Sequence, residues 1–259
     1  VASILGDQDA TNLTGQITGY STDSRTIEKG DLFIPLIAER DGHDFIEDAI
    51  SSGAIGHLYS HGTDLKNGIK VNSTIEALHT LAGEATEGYE SCRKLLKQRF
   101  NSNHAIITSG TTEAINLVAH AWGESNLQSG DVVLLTEMEH HSDIVPWQML
   151  AERKAIELRY IPVLDGRLDM EAFDVALEDA KLVCVVHTSN VLGVRNPIEK
   201  IIESSKNVGA RVLLDAAQAV PHEEIDFEEL GADFMAFSAH KMCGPTGIGA
   251  LLVSDAAFD

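Results

Sequence analysis

The stretch from Ala236 to Gly249, Ala-Phe-Ser-Ala-His-Lys-Met-Cys-Gly-Pro-Thr-Gly-Ile-Gly, decides the fold prediction because it places a lysine where a buried strand ends. Phe234 to Phe237 is a short apolar run, and the glycines and proline after it predict a turn. Lys241 lies at this junction, where partial desolvation would lower the pKa of its amine and make it a nucleophile toward aldehydes. An isolated lysine after a strand is more often an ordinary surface residue, so the interpretation depends on residues elsewhere.

Three polar segments upstream each follow a strand-like apolar run. They are Ser109-Gly110-Thr111-Thr112-Glu113, Glu139-His140-His141 and Asp215-Ala216-Ala217-Gln218. In an open α/β sheet, ligands bind outside the carboxyl ends of the strands. We therefore expect these segments and Lys241 to converge on one crevice.

From residue 105 onward, strand and helix patterns alternate with short turns, which predicts an α/β fold with a mainly parallel sheet and right-handed crossovers. The predicted helices are Thr112 to Trp122, Ser142 to Lys154, Met170 to Leu177 and Ile198 to Val208, and the predicted strands begin near Val132, Leu158, Leu182, Val212, Phe234 and Ala250.

Three runs are specific enough to identify a family: Ser-Ala-His-Lys-x-x-Gly-Pro-x-Gly-Ile-Gly from Ser238, Glu-His-His-Ser-Asp-Ile-Val-Pro-Trp from Glu139, and His-Thr-Ser-Asn-Val-Leu-Gly from His187. Residues from about His79 to the end resemble the large domain of pyridoxal-phosphate (PLP) cysteine desulfurases, within the class V aminotransferases. The resemblance implies a fold type I PLP transferase and a homodimer. It also implies a reaction that converts cysteine to alanine and supplies persulfide sulfur to iron–sulfur cluster assembly.

PLP needs an amine for a Schiff base, an anion site for its phosphate and a carboxylate for its ring nitrogen. Lys241 offers the amine, and Gly110, Thr111 and Thr112 open a helix whose free N–H groups and dipole suit a phosphate. The remaining roles are implied by the resemblance: Thr112, Ser238 and His240 on the phosphate, Asp215 on the ring nitrogen, Gln218 on the phenolic oxygen, His140 stacked on the ring and moving protons, and Asn190 on the substrate carboxylate or the phenolic oxygen.

Each of these residues also has a simpler interpretation. His140 and His141 can be ordinary helix-start residues, Asp215 a strand-end cap, and Thr111 and Thr112 N-caps. Taken singly, each simpler interpretation is favoured. Their joint occurrence in this order with Lys241 favours the PLP site.

The first 73 residues predict a separate small domain. Ile17 to Tyr20, Leu32 to Ile37 and Ile55 to Tyr59 are predicted as strands and His43 to Ser52 as a helix. The runs Ser-Thr-Asp-Ser-Arg from Ser21, Gly-Asp-Leu-Phe-Ile-Pro from Gly30 and Asp-Gly-His-Asp-Phe-Ile from Asp41 resemble the N-terminal domain of Mur ligases. The resemblance is nearest to the type that adds D-alanyl-D-alanine to the UDP-muramoyl tripeptide.

In the Mur family this domain holds the UDP end of the substrate, and Ser24 and Arg25 offer a hydroxyl and a guanidinium for uracil or phosphate oxygens. Alternatively, Asp23 and Arg25 only tie down a turn, and the sequence leaves both possibilities open. The ligase's Gly-x-x-Gly-Lys-Thr/Ser loop does not occur in the chain, so ATP-dependent ligation is not predicted. Ser73 to Glu76 is a capping-box pattern that opens a helix over about 74–100, shared with the second predicted domain, 74–259.

Composition limits the other function classes. The net charge of −21 argues against a nucleic-acid or anionic-membrane partner, and no apolar run reaches membrane-spanning length. The expected location is the cytoplasm. The 3 cysteines form no CxxC pair or cysteine–histidine metal pattern, so neither disulfides nor a metal site is predicted.

The family's nucleophilic cysteine and its carboxylate-binding arginine lie C-terminal to the matched region, so we expect the chain to be catalytically incomplete and less able to dimerise. Cys243 is the cysteine nearest the expected site and would share a side with Lys241 if the chain there were extended. The combination of two resemblances indicates a fragment or a join of two genes, natural, engineered or artefactual. The alternative functions are a non-catalytic UDP-sugar-binding module, or a chimera without a selected function.

Overall fold

The computed structural model describes residues 15–62 and 65–258. The chain divides into two compact units, one ending at Glu90 and the other beginning at Ser91. This boundary lies inside the helix Thr74–Arg99, the element that the sequence predicts to be shared between two domains. The first 14 residues of the predicted N-terminal domain lie outside the described residues.

The first unit is built on a four-stranded sheet in which every strand pairs with its neighbour in parallel. Its elements in chain order are β1 (Gly19–Ser21), β2 (Asp31–Phe33), α1 (Ile46–Ser52), β3 (Gly56–Tyr59), β4 (Gly68–Lys70) and the start of α2 (Thr74–Arg99). Side chains alternate across β2, so that Leu32 packs with Ala77 of α2 and Phe33 packs with Ile46 of α1. Each face of the sheet is therefore covered by one helix.

Two details of this unit differ from the sequence prediction. The strand predicted over Leu32 to Ile37 ends at Phe33, just before Pro35, which has no N–H for a ladder hydrogen bond. The strand β4 was not predicted, because it has only three residues and a single buried side chain, Ile69. The predicted capping of α2 is confirmed, since Ser73 Oγ accepts from the Glu76 N–H at 3.3 Å.

The second unit carries a seven-stranded sheet with strand order β5-β13-β12-β11-β10-β6-β7. Its elements are β5 (His104–Thr108), α3 (Thr111–Val118), α4 (Glu124–Asn126), β6 (Val132–Thr136), α5 (Val145–Lys154), β7 (Glu157–Ile161), the small hairpin β8 (Val163–Leu164) and β9 (Arg167–Leu168), α6 (Met170–Ala176), β10 (Ala180–Val186), α7 (Ile198–Val208), β11 (Arg211–Asp215), α8 (Phe227–Leu230), β12 (Phe234–Ser238), β13 (Gly249–Val253) and α9 (Asp255–Phe258).

The predicted mainly parallel sheet is confirmed, and β13 is its one antiparallel strand, inserted between β12 and β5. Buried side chains alternate across the sheet: on β6, Leu134 packs with the α7 side and Leu135 with the α3 and α5 side. Strands that are buried on both faces have near-continuous apolar sequences, which is why these runs were visible in the sequence.

Two predicted helices start or continue differently. The one predicted over Thr112 to Trp122 is α-helical only to Val118 and continues as a π-turn, Ala119–Gly123, where a Cβ on Gly123 would lie 2.9 Å from Leu150 Cδ2. The one predicted from Ser142 begins at Val145 after a separate 3-10 turn, because Pro146 occupies the first helical turn, where a missing N–H costs nothing. No helix among the described residues is both long and apolar enough to cross a bilayer.

Candidate cofactor site

A cavity of about 300 Å³ opens at the carboxyl ends of the central strands of the second unit and at the start of α3. All nine residues that the sequence predicted to bind the cofactor line it: Thr111, Thr112, His140, Asn190, Asp215, Gln218, Ser238, His240 and Lys241. Ser142, Val186 and Ala217 also line it and were missed by the sequence analysis. The volume is at the lower end of the range for small-molecule sites.

The end of the cavity at α3 is formed by backbone and hydroxyl groups. Ser238 Oγ accepts the Thr111 N–H at 2.8 Å and lies 2.7 Å from Thr111 Oγ1. One of the N–H groups expected to be free for a phosphate is thus already bound by Ser238. The close approach of α3 to β13 requires glycine, since a Cβ on Gly249 would lie 2.5 Å from Gly110 Cα.

Lys241 lies on a single 3-10 turn, Ala239–Met242, directly after β12. Its side chain is exposed, which contradicts the expected partial desolvation, because the turn extends past the buried end of the strand. The same turn corrects the expectation for Cys243, which ends the turn with φ 64° instead of continuing an extended chain. Cys243 is exposed and is absent from the residues that line the cavity.

His140 is held by the residue two positions on. Its Nδ1 accepts the Ser142 N–H at 3.2 Å and lies 2.8 Å from Ser142 Oγ. A nitrogen that accepts a backbone N–H carries no proton, so the neutral imidazole of His140 keeps its proton on Nε2. Ser142 therefore fixes the tautomer of the residue predicted to face a cofactor ring.

Asp215 ends β11 and is only 4% exposed. Its Oδ1 accepts the Ala217 N–H at 2.9 Å. Burial raises the pKa of Asp215, while the Ala217 hydrogen bond and the charges of His140 and Lys241 oppose that rise. A buried carboxylate with one N–H donor is stabilised by a cationic partner, such as a protonated ring nitrogen.

Two further acids lie in the same region: Glu139 belongs to a segment that was expected at the crevice but was given no role, and Asp143 was not predicted. Glu139 and Asp143 flank His140 in sequence and are buried, and burial raises the pKa of Glu139 well above its ordinary range and that of Asp143 to about 8. The sequence signal was weak, because each belongs to a polar run that also suits an exposed helix start.

The predicted residues Ser24 and Arg25 belong to the first unit. The Arg25 guanidinium is exposed and pairs with Asp23 at 2.6 Å, which lowers the pKa of Asp23 to about 2. This is the tie across a turn that the sequence analysis gave as an alternative. UDP binding by these residues stays a prediction.

The donors and acceptors that line the cavity can be compared with the groups that PLP requires. It presents a lysine amine, a buried carboxylate, an imidazole with a defined tautomer, and hydroxyl groups at a helix start. Those are the groups that the sequence analysis required for the aldehyde, ring nitrogen, ring face and phosphate of PLP. The residues present therefore fit this cofactor.

Comparison with known proteins shows which family the chain belongs to. Residues 66–259 match the aminotransferase class-V family. Cysteine desulfurases of Salmonella newport and Salmonella typhi are each 47% identical over 184 residues, which cover 69% of this chain and 45% of each relative. The chain thus spans about half the length of the curated relatives it matches.

Solved structures of related proteins also align with the chain. The apo structure of a cysteine desulfurase from Thermococcus onnurineus aligns with TM-score 0.66 and 35% identity over 78% of this chain and 47% of that one. Cysteine desulfurase CsdA from Escherichia coli aligns with TM-score 0.63 and 32% identity, covering 68% and 45%. A C-DES structure with glycine covalently linked to PLP aligns with TM-score 0.59 and 28% identity, covering 64% and 45%. The chain belongs to the class V aminotransferases, a family of PLP-dependent enzymes.

Proposed function

We propose that this chain is the cofactor-binding part of a cysteine desulfurase-type enzyme, with PLP held in the cavity at the strand ends and attached to Lys241. The observation that carries the proposal is the convergence of nine sequence-predicted residues on one cavity, with Lys241 and the buried Asp215 both lining it. The similarity to cysteine desulfurases supports the substrate class, an amino acid with a thiol.

The roles of the chain's own residues follow from their places. Asp215 would pair with the ring nitrogen, Ser238 holds the start of α3, where the phosphate would bind, and His140, with its proton on Nε2, would face the ring and the substrate. When bound, PLP supplies an electrophilic carbon and an electron sink. Lys241 and His140 are the groups in the cavity suited to moving a proton.

In the proposed overall reaction the C–S bond of cysteine breaks and an acceptor thiolate takes the sulfur as a persulfide. The remaining carbon skeleton gains a proton and becomes alanine. The acceptor thiolate must reach the substrate, and none of the chain's 3 cysteines lines the cavity: Cys184 is buried, while Cys92 and Cys243 are exposed elsewhere. We therefore propose that sulfur release needs a thiol other than these three. The resemblance to cysteine desulfurases implies a homodimer as the working assembly.

Reduction with borohydride tests the proposal directly. The purified chain is incubated with PLP, reduced, digested and analysed by mass spectrometry, and the expected result is a pyridoxyl label on Lys241. Lys241→Ala should lose the label, whereas Lys206→Ala, a matched change at a lysine outside the cavity, should keep it. A folded chain labelled at another lysine, or not at all, would contradict the proposal.

A further inference from the structure

Glu139 and Asp143 lie next to the proposed site, yet the proposed function gives neither a role. Glu139 is 7% exposed and Asp143 is fully buried. They bracket the segment that carries His140 and Ser142, both of which line the cavity. Buried acids are seldom retained without hydrogen-bond partners or a function.

The hydrogen bonds of the two carboxyl groups leave one oxygen of each without a partner. Glu139 Oε1 accepts from Thr136 Oγ1 at 2.6 Å and from the Val186 N–H at 2.8 Å, and Asp143 Oδ1 accepts from Trp147 Nε1 at 3.0 Å. The Cys184 thiol is a further hydrogen-bonding partner of the Asp143 side chain. Within the part of the chain that the structure describes, Glu139 Oε2 and Asp143 Oδ2 are buried and have no hydrogen-bond partner. Because ionised carboxylates only accept, both oxygens would stay unsatisfied if both groups were ionised.

The Glu139 side chain is a hydrogen-bonding partner of the Asp143 side chain. Two ionised carboxylates cannot form such a bond, because neither has a proton to donate, whereas one proton between them allows it. Two carboxyl groups that share one proton behave as a pair, with titration steps that belong to both.

The surrounding charges favour keeping that proton. The titratable groups that face the pair are Asp215, from the end of β11, and the Cys184 thiol, from β10, while His140 and Lys241 face Asp215. None of the groups that face the pair directly is a cation. Burial raises the pKa of both Glu139 and Asp143, in agreement with the hydrogen-bond count.

We propose that Glu139 and Asp143 share one proton, and that the pair positions His140 and leaves Asp215 as the ionised carboxylate of the cavity. Glu139 ties the segment to the ends of β6 and β10 through Thr136 and Val186, and Asp143 ties it to α5 through Trp147. Both are positioning residues. The effect on the cofactor rests on the proposed function, whereas the shared proton does not.

Infrared spectroscopy of the chain without cofactor tests the shared proton. At pH 7 the parent should show a carboxylic-acid C=O band that disappears in strongly alkaline buffer. Glu139→Gln and Asp143→Asn should each abolish it, because the amide N–H of either variant replaces the proton. No such band in the parent would overturn the proposal. Survival of the band in either variant would also overturn it, since the two acids would then be protonated independently.

The positioning role is tested by PLP titration of the parent, Asp143→Asn and Asp143→Ala, each first checked for parent-like circular dichroism. Asp143→Ala should weaken PLP binding at least about tenfold, the equivalent of one buried hydrogen bond, and Asp143→Asn should restore it to near the parent value. Parent-like affinity in Asp143→Ala would refute the positioning role. If the parent itself bound no PLP, the proposed function would fail, while the infrared result would still decide the shared proton.

Discussion

Two clusters of acids and histidines in this protein use the same residue types with opposite results. In the first unit, Asp41 lies between His43 and His61. Its Oδ1 accepts the His43 N–H at 3.0 Å and lies 2.7 Å from His43 Nδ1, and its Oδ2 lies 2.6 Å from His61 Nε2. These bonds, the His43 N–H first among them, lower the pKa of Asp41 to about 2. In the second unit, Glu139, Asp143 and Asp215 are buried, and burial raises all three pKa values.

The difference shows that the number of N–H donors and access to water decide whether an acid keeps its charge. The Asp41 cluster has the spacing of a metal site. However, the Ser60 N–H donates to His43 Nε2 at 3.1 Å, so the imidazole proton is on Nδ1 and points to Asp41. In the Asp41 cluster both carboxylate oxygens have hydrogen-bond partners, whereas Glu139 and Asp143 each have one buried oxygen without a partner among the described residues.

The largest expected effect separates the two clusters by function. Asp215→Ala should weaken PLP binding by roughly 3–5 kcal/mol, at least a hundredfold, because a buried ring cation would lose its counter-charge. Asp41→Ala, the matched change in the other cluster, should bind PLP like the parent. Absorbance titration of both variants is the measurement. Equal losses in the two would mean that neither cluster is specific to the cofactor.

The dependence of stability on pH should differ in sign between the clusters. The folded pKa of Asp143 is about 8, against about 4 when unfolded, so the parent loses stability as pH rises between these values. Asp143→Asn removes this titration and should be more stable than the parent by about 5 kcal/mol at pH 8, with no difference below pH 4.

Asp41 has the opposite shift, with a folded pKa of about 2. Its contribution should be present above about pH 4 and be lost as the pH falls to about 2, so Asp41→Asn should match the parent only in strong acid. Urea unfolding at a series of pH values measures both variants. Parallel curves for Asp143→Asn and the parent would show that Asp143 does not titrate abnormally.

A smaller effect is expected from the donor to Asp143. Trp147→Phe keeps a buried aromatic side chain but replaces the indole with a smaller ring and removes the Nε1–H, which donates to Asp143 Oδ1. The change should cost about 1–3 kcal/mol in the free energy of unfolding, and the loss should grow at alkaline pH, where Asp143 ionises. Trp122→Phe provides the control, since Trp122 is partly buried in the same unit and packs edge-on against Phe234. An equal loss in both variants would assign the effect to ring size alone.

The smallest effect is expected at Arg25. Its ion pair with Asp23 is exposed, so Arg25→Ala should leave thermal unfolding unchanged. The same variant tests the UDP prediction: a UDP-sugar that raises the unfolding temperature of the parent but not of Arg25→Ala would support it. No shift in the parent would refute nucleotide binding by this unit.

The residues around the cavity were predictable because each follows an apolar run that is buried on both faces. His140, Asp215 and Lys241 each come after such a run, and strand order within a parallel sheet does not alter which edge they reach. The hydrogen bonds that hold these residues in place were not predictable. Sequence spacing contains no information that Ser238, 127 residues away, would take the Thr111 N–H, or that Ser142 would fix the tautomer of His140.

The sequence also did not indicate which of its polar side chains are buried. Glu139 and Asp143 sit in a polar run, and only the tertiary packing of Trp147 and the end of β10 removes them from water. In the first unit the strands are only three or four residues long, so their observed boundaries differ from the predicted ones and β4 was not predicted. Local propensity decides little where an element is only three residues long.

The insertion of β13 between β12 and β5 has a consequence for biosynthesis. β5 is made before the other strands of its sheet, but it joins them only through β13, which follows all of them in the described sequence. Until β13 emerges from the ribosome, β5 has no strand to pair with, and the nascent sheet ends in two unpaired edges. Closing so long a loop is slow, and open edges attract other strands. We therefore expect the cofactor pocket to form only after β13 has been made, and the nascent chain to depend on chaperones until then.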